Sequence, residues 1–444
     1  MPRISAFLAL SVLGAGLLAA APAEANGRFP AAGQIVVDPG DPSHLLVRAT
    51  YGFLTTRDGG ASWDWICEQS VGYSGTLDPP VAITADGSVL AGVFDGLSVT
   101  HGDSCGWAFV GGELEKKYFV DVSTERETPA ASVAFSSNGL GNNEFLTRLW
   151  ESPDNAVTWT QAGVDLPADF LGLTVDVAPS DPARVYASGL AAIGAGMYVG
   201  ALQRSMDRGQ TWESFTVPGS DASTGPYLAA IDPVVPERVY LRLDGEPGKL
   251  LVSEDGGETW DEAFVGQGRL KGFALSPDGA TVLVGGDKDG VWRASSATLT
   301  FEKVSEVAVD CLAWAGANVY ACASEFKEGF TIGLSTDEGA TFEPIHHLPC
   351  LRGPLACDPA SSVGTECPSQ WPVIAATLDQ ASCYGAGGGG GASSSSGDMP
   401  PPGPTSTASG SGCQATPAGG GMAAALGLCF AALMLRTSRR RRGL

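Results

Sequence analysis

The stretch "SEDGGETW" (residues 253–260) decides how this chain is read, because a polar turn ends on the largest apolar side chain available and the chain then repeats it. "TTRDGGASW" ends at Trp63, "SPDNAVTW" at Trp159, "SMDRGQTW" at Trp212 and "STDEGATF" at Phe342, alongside Trp260 of the first copy. The shared pattern is Ser/Thr-x-Asp-x-Gly-x-Thr-aromatic, with Asp58, Asp154, Asp207, Asp255 and Asp337 in the acidic position. A short carboxylate accepts backbone N–H bonds inside its own turn, and a hydroxyl ties the hairpin. Glycine supplies a backbone angle closed to other residues. The aromatic, on the strand that follows, is expected to pack against its own sheet and bury roughly 150–250 Å².

Two worn copies fill the gaps: "THGDSCGW" ends at Trp107, and "ASSATLTF" ends at Phe301 with Ser296 in the acidic position. The seven aromatics are then spaced by 44, 52, 53, 48, 41 and 41 residues. Strand-like runs precede each turn, as in "GLTVDVAPSDPARVYASG" and "YLAAIDPVVPERVYLRL". A period of 40–50 residues with several short strands per unit is the signature of a propeller blade. In the fourth unit the strands are expected near 172–178, 185–189, 197–204 and 212–217. The expected fold is all-β, a seven-bladed β-propeller of four-stranded blades spanning residues 26–349.

These turns resemble the Asp-box (BNR) repeats of sialidases, sortilin-type receptors, xyloglucan-cleaving glycosidases and a photosystem assembly factor family. The resemblance covers about residues 30–346, and five of the seven copies keep most of the pattern. It implies a propeller with the turns on the rim, away from the active face, so the five aspartates are read as structural. It implies no single activity, since one box serves families of different function. The Phe/Tyr-Arg-Ile-Pro stretch that precedes the first box in sialidases has only a faint echo in "GRFP", the sialidase ring has six blades, and no pair of acidic residues stands out as the couple that glycoside cleavage needs.

The chain carries 26 Lys+Arg against 49 Asp+Glu, a net charge of -23 over 444 residues. Such a balance argues against nucleic acid as a partner. Residues 1–25 read as a secretory signal, with Arg3, an apolar stretch and an Ala23-Glu24-Ala25 cleavage site. Export gives the cysteines meaning, because oxidising compartments favour disulfides. Cys311 and Cys322 fall on the first two strands of the seventh blade and fit a cross-link. Cys67 and Cys105 fit a bridge between the first two blades. Cys350, Cys357, Cys367 and Cys383 lie in the segment 350–383, read as a disulfide-tied cap or added strand ("WPVIAATL") beside the ring closure. Their four thiols allow three pairings.

Residues 384–412 form a Gly/Ser/Pro-rich linker. Residues 413–444 contain Cys413, a short apolar stretch and an arginine cluster. This end resembles the myxobacterial-type C-terminal sorting signal, which implies a retained, lipid-modified Cys413 and a protein held on the outer surface of a Gram-negative-type cell. A permanent tail anchor is the alternative. Removing both ends deletes six arginines and one glutamate, making the chain more acidic still.

The remaining chemistry is sparse. His346, His347 and Cys350 are potential metal ligands, but an exported cysteine beside three others fits a disulfide better. Asp287 and Asp289 in "GGDKDG" hint at calcium, yet sit where a hairpin must turn. The long third and fourth units place insertions on the face opposite the boxes: 111–117, 138–143 and 190–196. A binding patch on that face would use Lys117, Asn142, Asn143 and Tyr198. No catalytic residue, metal or cofactor is expected. The function expected is non-catalytic recognition or scaffolding of a protein or neutral glycan, with contact to a membrane only through the tail. The alternative is a surface glycoside hydrolase.

Overall fold

The computed structural model describes residues 29–194 and 196–384. Seven four-stranded antiparallel sheets follow one another along the chain, each in simple up-and-down order, and together they form a seven-bladed β-propeller. The blades occupy 32–66, 81–109, 119–161, 170–221, 226–265, 270–305 and 309–346. In the fourth, the strands Phe170–Val177, Val185–Gly194, Met197–Ser205 and Glu213–Asp221 lie where they were expected, the second and fourth running longer. First strands of successive blades neighbour one another around the axis, and blade 1 closes on blade 7.

The five full-pattern turns share one geometry. The Ser/Thr hydroxyl (Thr56, Ser152, Ser205, Ser253, Ser335) donates to the aspartate Oδ1 at 2.6–2.9 Å. The same hydroxyl accepts the N–H four residues on at 2.7–3.0 Å. Oδ1 also accepts the N–H of the second Ser/Thr at 2.8–2.9 Å, and Oδ2 takes its hydroxyl proton at 2.5–2.7 Å. Gly60, Gly209, Gly257 and Gly339 hold left-handed backbone, and Ala156 is held in the same region at φ 66°. At Asp255 burial opposes ionisation, but these hydrogen bonds outweigh it and hold the carboxyl down to about 2.

Where the aromatics go is a correction. Rather than resting on their own blade alone, they fill the seam with the preceding one. Trp159 joins Leu90 and Val99 of blade 2, Trp212 joins Val133 and Leu149 of blade 3, and Trp260 joins Tyr186 and Leu202 of blade 4. Phe342 packs with Leu283 and Val291 of blade 6. Trp63 spans the closing seam: its Nε1 donates to Gly60 O and to Ile345 O, both at 3.0 Å, and its ring meets His346 of blade 7 at 5.4 Å. The turn is a hairpin lock and also inter-blade cement.

The segment after blade 7 is the second correction. "WPVIAATL" is not a strand but the last turns of the helix Ser362–Thr377 with its C-cap, Leu378. Ser361 caps the helix by accepting Gly364 N–H at 3.1 Å, and buried Val363 and Cys367 anchor it, which outweighs the two internal prolines. The added edge is made instead by residues 352–355, which run parallel to the outer strand of blade 1. Arg352 N–H reaches Trp63 O, Trp65 N–H reaches Gly353 O and Leu355 N–H reaches Trp65 O, at 2.8–3.0 Å. Pro354 is tolerated there because an edge position needs no N–H.

The cysteines pair as Cys67–Cys367, Cys105–Cys357, Cys311–Cys322 and Cys350–Cys383. Only the third matches a specific expectation. Cys67 and Cys105 do not bridge each other, and of the four C-terminal cysteines only Cys350 and Cys383 pair together, while Cys357 and Cys367 reach outside the segment. Two of them instead bind the segment to blades 1 and 2, as a strap over the closure. Four disulfides fit an oxidising compartment outside the cytoplasm. No helix among the described residues is long and apolar enough to cross a membrane. The signal peptide, most of the linker and the sorting signal with Cys413 lie outside the described residues.

The strap yields a test. A Cys67→Ala/Cys367→Ala variant is expected to lose about 2–5 kcal/mol of unfolding free energy in a denaturant titration. Trypsin should then cut after Arg352 under native conditions while the parent resists. An unchanged midpoint with unchanged protection would deny the strap its role.

Candidate functional site

One face of the ring carries the aspartate turns, so the opposite face carries the hairpins between second and third strands and the links between blades. On that opposite face the ring is uneven. Second strands have five or six residues in blades 1, 2, 5, 6 and 7, but ten in blades 3 and 4. The insertions at 138–143 and 190–196 are thus not free loops. They prolong the ladders of two hairpins, Ser132–Gly141/Glu144–Ser152 and Val185–Gly194/Met197–Ser205, whose cross-strand pairing runs to each tip with one irregularity just before it. Four or five extra residues lift each tip by about 13–16 Å.

The tip of the first hairpin turns on Asn142 and Asn143, both left-handed at φ 55° and 62°. Two consecutive positive angles match the twist of a tight hairpin, and asparagine tolerates them. Asn143 then ties the hairpins together: its Nδ2 donates to Gly194 O at 2.9 Å and its Oδ1 accepts from Tyr198 Oη at 3.0 Å. Phe145 packs beside Tyr198, ring centres 6.4 Å apart. On this joined crest stand Leu140, Ile193 and Met197, 62, 59 and 58% exposed.

Of the four residues named from sequence, Asn142, Asn143 and Tyr198 therefore meet. Lys117 is engaged elsewhere, with its Nζ 5.5 Å from the centre of the Trp150 ring. Its segment 111–117 is no loose insertion either. It forms a short helical turn, Gly112–Leu114, whose Leu114 is buried between blades 2 and 3. Sequence reasoning missed two ring pairs on the same face: exposed Phe94 stacked on half-buried Tyr118 at 4.5 Å, and Phe29 edge-on to Phe326, both exposed, at 5.1 Å. It also missed the apolar crest, although an apolar residue inside a Gly/Asn-rich turn ("NGLGNN", "AAIGAGM") is a readable sign of one.

The two carboxyls best suited by environment to acid–base work lie inside the channel. Burial raises Asp121 to about 7 and Asp176 to about 6, against opposing hydrogen bonds. Both are committed to the frame. Asp121 accepts Val175 N–H at 2.8 Å across the seam and Val122 N–H at 3.0 Å. Asp176 accepts Ser123 Oγ at 2.9 Å in the other direction and Val177 N–H at 2.9 Å. They latch the inner strands of blades 3 and 4, and neither lines the channel's cavity.

Other named residues are structural. Cys350 is in a disulfide and His346 is buried, which together dissolve the His346/His347/Cys350 grouping; His347 bonds Glu325 Oε1 at 3.0 Å. Asp289 accepts Gln267 N–H at 2.6 Å and Gly268 N–H at 3.2 Å, fastening its hairpin to the preceding link. Among the described residues no group of three or more His, Cys, Asp or Glu is disposed to hold a metal ion.

No protein-family model and no curated protein matches the sequence. Solved structures do match in backbone. An ancestral GH74 enzyme is 15% identical over 67% of this chain and 44% of its own, with a TM-score of 0.50. A GH74 enzyme of Niastella koreensis is 12% identical over 70% of this chain and 65% of its own (TM-score 0.41). The GH74 xyloglucanase of Xanthomonas campestris is 17% identical over 70% and 63% (TM-score 0.36). This chain thus spans less than two thirds of each, and the likeness is one of fold.

The latch has a pH signature. With Asp121 raised to about 7 from an ordinary 3.8, the folded chain keeps a proton that the unfolded chain releases between about pH 4 and 7. Stability therefore falls with rising pH across that window through this group. Asp121→Asn should make the melting temperature decline less steeply from pH 4 to 7 than in the parent. Parallel profiles would show that Asp121 does not carry the effect.

Proposed function

We propose that this chain is a non-catalytic recognition module, exported and held at the outer cell surface, that docks a partner protein on the crest formed by blades 3 and 4. The crest itself carries this reading: three aliphatic side chains stand exposed on two hairpins that Asn143 holds rigidly together. Clustered exposed apolar residues on a preorganised support are what protein interfaces use, and rigidity lowers the entropy lost on docking. The raised carboxyls that hydrolysis would need are occupied as inter-blade latches. Neutral glycan binding is the second reading, favoured by the Phe29–Phe326 and Phe94–Tyr118 pairs, whose faces suit sugar stacking. Residues 1–25 would direct export, and the linker with Cys413 would tether the ring.

The purified full chain should cross-link to a surface protein of the producing cell. A Leu140→Ser/Ile193→Ser/Met197→Ser variant should lose that product by at least about tenfold, while Val234→Ser/Val235→Ser on the opposite face keeps it. Equal capture by both variants would remove the crest from the reading. Turnover of aryl glycosides by the parent would replace it with the hydrolase alternative.

A further inference from the structure

The other end of the channel, on the face of the aspartate turns, holds a cavity of about 750 Å³. Its wall comes from blades 1, 2, 3, 6 and 7, and none of it from blades 4 and 5. The cause of this asymmetry is Arg126. It projects from the first turn of blade 3, and its Nη2 donates to Pro277 O of blade 6 at 2.8 Å, making a bar across the mouth. The wall is mostly apolar, with Val36, Ile83, Val122 and Leu275 among its members, and Trp314 presents a partly exposed indole.

The wall holds two carboxylates, Asp38 and Glu125, and one guanidinium, Arg126. Its two carboxylates are already engaged: Asp38 holds His44 Nδ1 at 2.8 Å and two backbone N–H groups, and Glu125 is paired with Arg208. Arg126 makes no ion pair with any described residue, although its charge is felt at Asp176 and Asp278. Arg57 and Arg242 likewise bond neutral oxygens, whereas Arg148, Arg184, Arg204, Arg208, Arg238 and Arg293 all hold carboxylates. One guanidinium with spare donors and one flat indole line the same cavity.

We infer that the cavity is a binding site for a small monocarboxylate with a flat apolar body, its carboxylate on Arg126 and its ring against Trp314. A volume near 750 Å³ lies within the range of small-molecule sites. One guanidinium, on a wall whose two carboxylates are already engaged, matches one negative charge; a phosphate dianion would bury a second charge without a partner. The site lies at the opposite end of the channel from the crest and does not depend on it.

The test titrates 2-naphthoate, with benzoate and indole-3-carboxylate beside it, into the purified full chain by calorimetry and by saturation-transfer NMR. Saturable one-to-one binding is expected for at least one of the three. The matched alcohol of that acid should bind at least about tenfold more weakly, as should the acid to Arg126→Gln. Arg126→Lys should retain more affinity than Arg126→Gln, and Trp314→Leu should weaken binding several-fold. The acid–alcohol comparison on the parent protein needs no variant, so a loss of fold on substitution cannot mimic the result. Absence of saturable binding by all three acids, or equal binding of acid and alcohol, overturns the assignment.

Discussion

Blade 1 and blade 7 meet without sharing a strand, and the rest of the ring depends on that seam holding. Every other pair of neighbours is joined by a covalent link; here chain continuity is missing on the inner side. The structure compensates on the outer side. Trp63 reaches across to Ile345 and His346, as its counterparts reach across the other seams. The chain then continues from blade 7 along the edge of blade 1 to blade 2, where Cys105–Cys357 fastens it. Cys67–Cys367 closes a loop of 300 residues, whose unlinked chain would lose the most freedom on closure.

Polar contacts follow the same logic of joining neighbours. Arg184 crosses from blade 4 to Glu237 of blade 5, Arg208 from blade 4 to Glu125 and Glu151 of blade 3, and Arg293 from blade 6 to Glu338 of blade 7. Partly exposed pairs contribute little singly. Their placement still matters, because acidic blades pressed side by side repel unless cations lie between them. The channel-side latches Asp121 and Asp176 do the corresponding work inside, where burial favours the protonated form.

The blade count was legible because the repeated turn tolerates little variation. Its carboxylate, hydroxyls and left-handed residue each satisfy a specific backbone group, so even Ala156 is forced into the glycine conformation. Spacing then located the strands. What was not legible depended on contacts between distant residues. The pairing of Cys67 with Cys367 follows from where the strap lies, and nothing local to either cysteine encodes it. "WPVIAATL" carries strand-like residues, yet tertiary anchoring at Val363 and Cys367 makes it helix. The crest residues were readable in part: the length of the insertions pointed to Asn142, Asn143 and Tyr198, which meet, whereas Lys117 lies over the Trp150 ring.

A repeat ring is nearly symmetric, so a site able to distinguish one ligand from another must come from what breaks the symmetry. Two such breaks are visible, at opposite ends of the axis. On one face, blades 3 and 4 alone lengthen their hairpins, and Asn143 fuses them into a single raised support. On the other, Arg126 crosses from blade 3 to blade 6 and leaves blades 4 and 5 outside the cavity. Both breaks involve blade 3, whose inner strand also carries Asp121. The aspartate turns show the opposite behaviour, with the same bonds within 0.3 Å in five blades. Uniform geometry marks the parts that hold the ring together, and departure from it marks the surfaces on which recognition can be built.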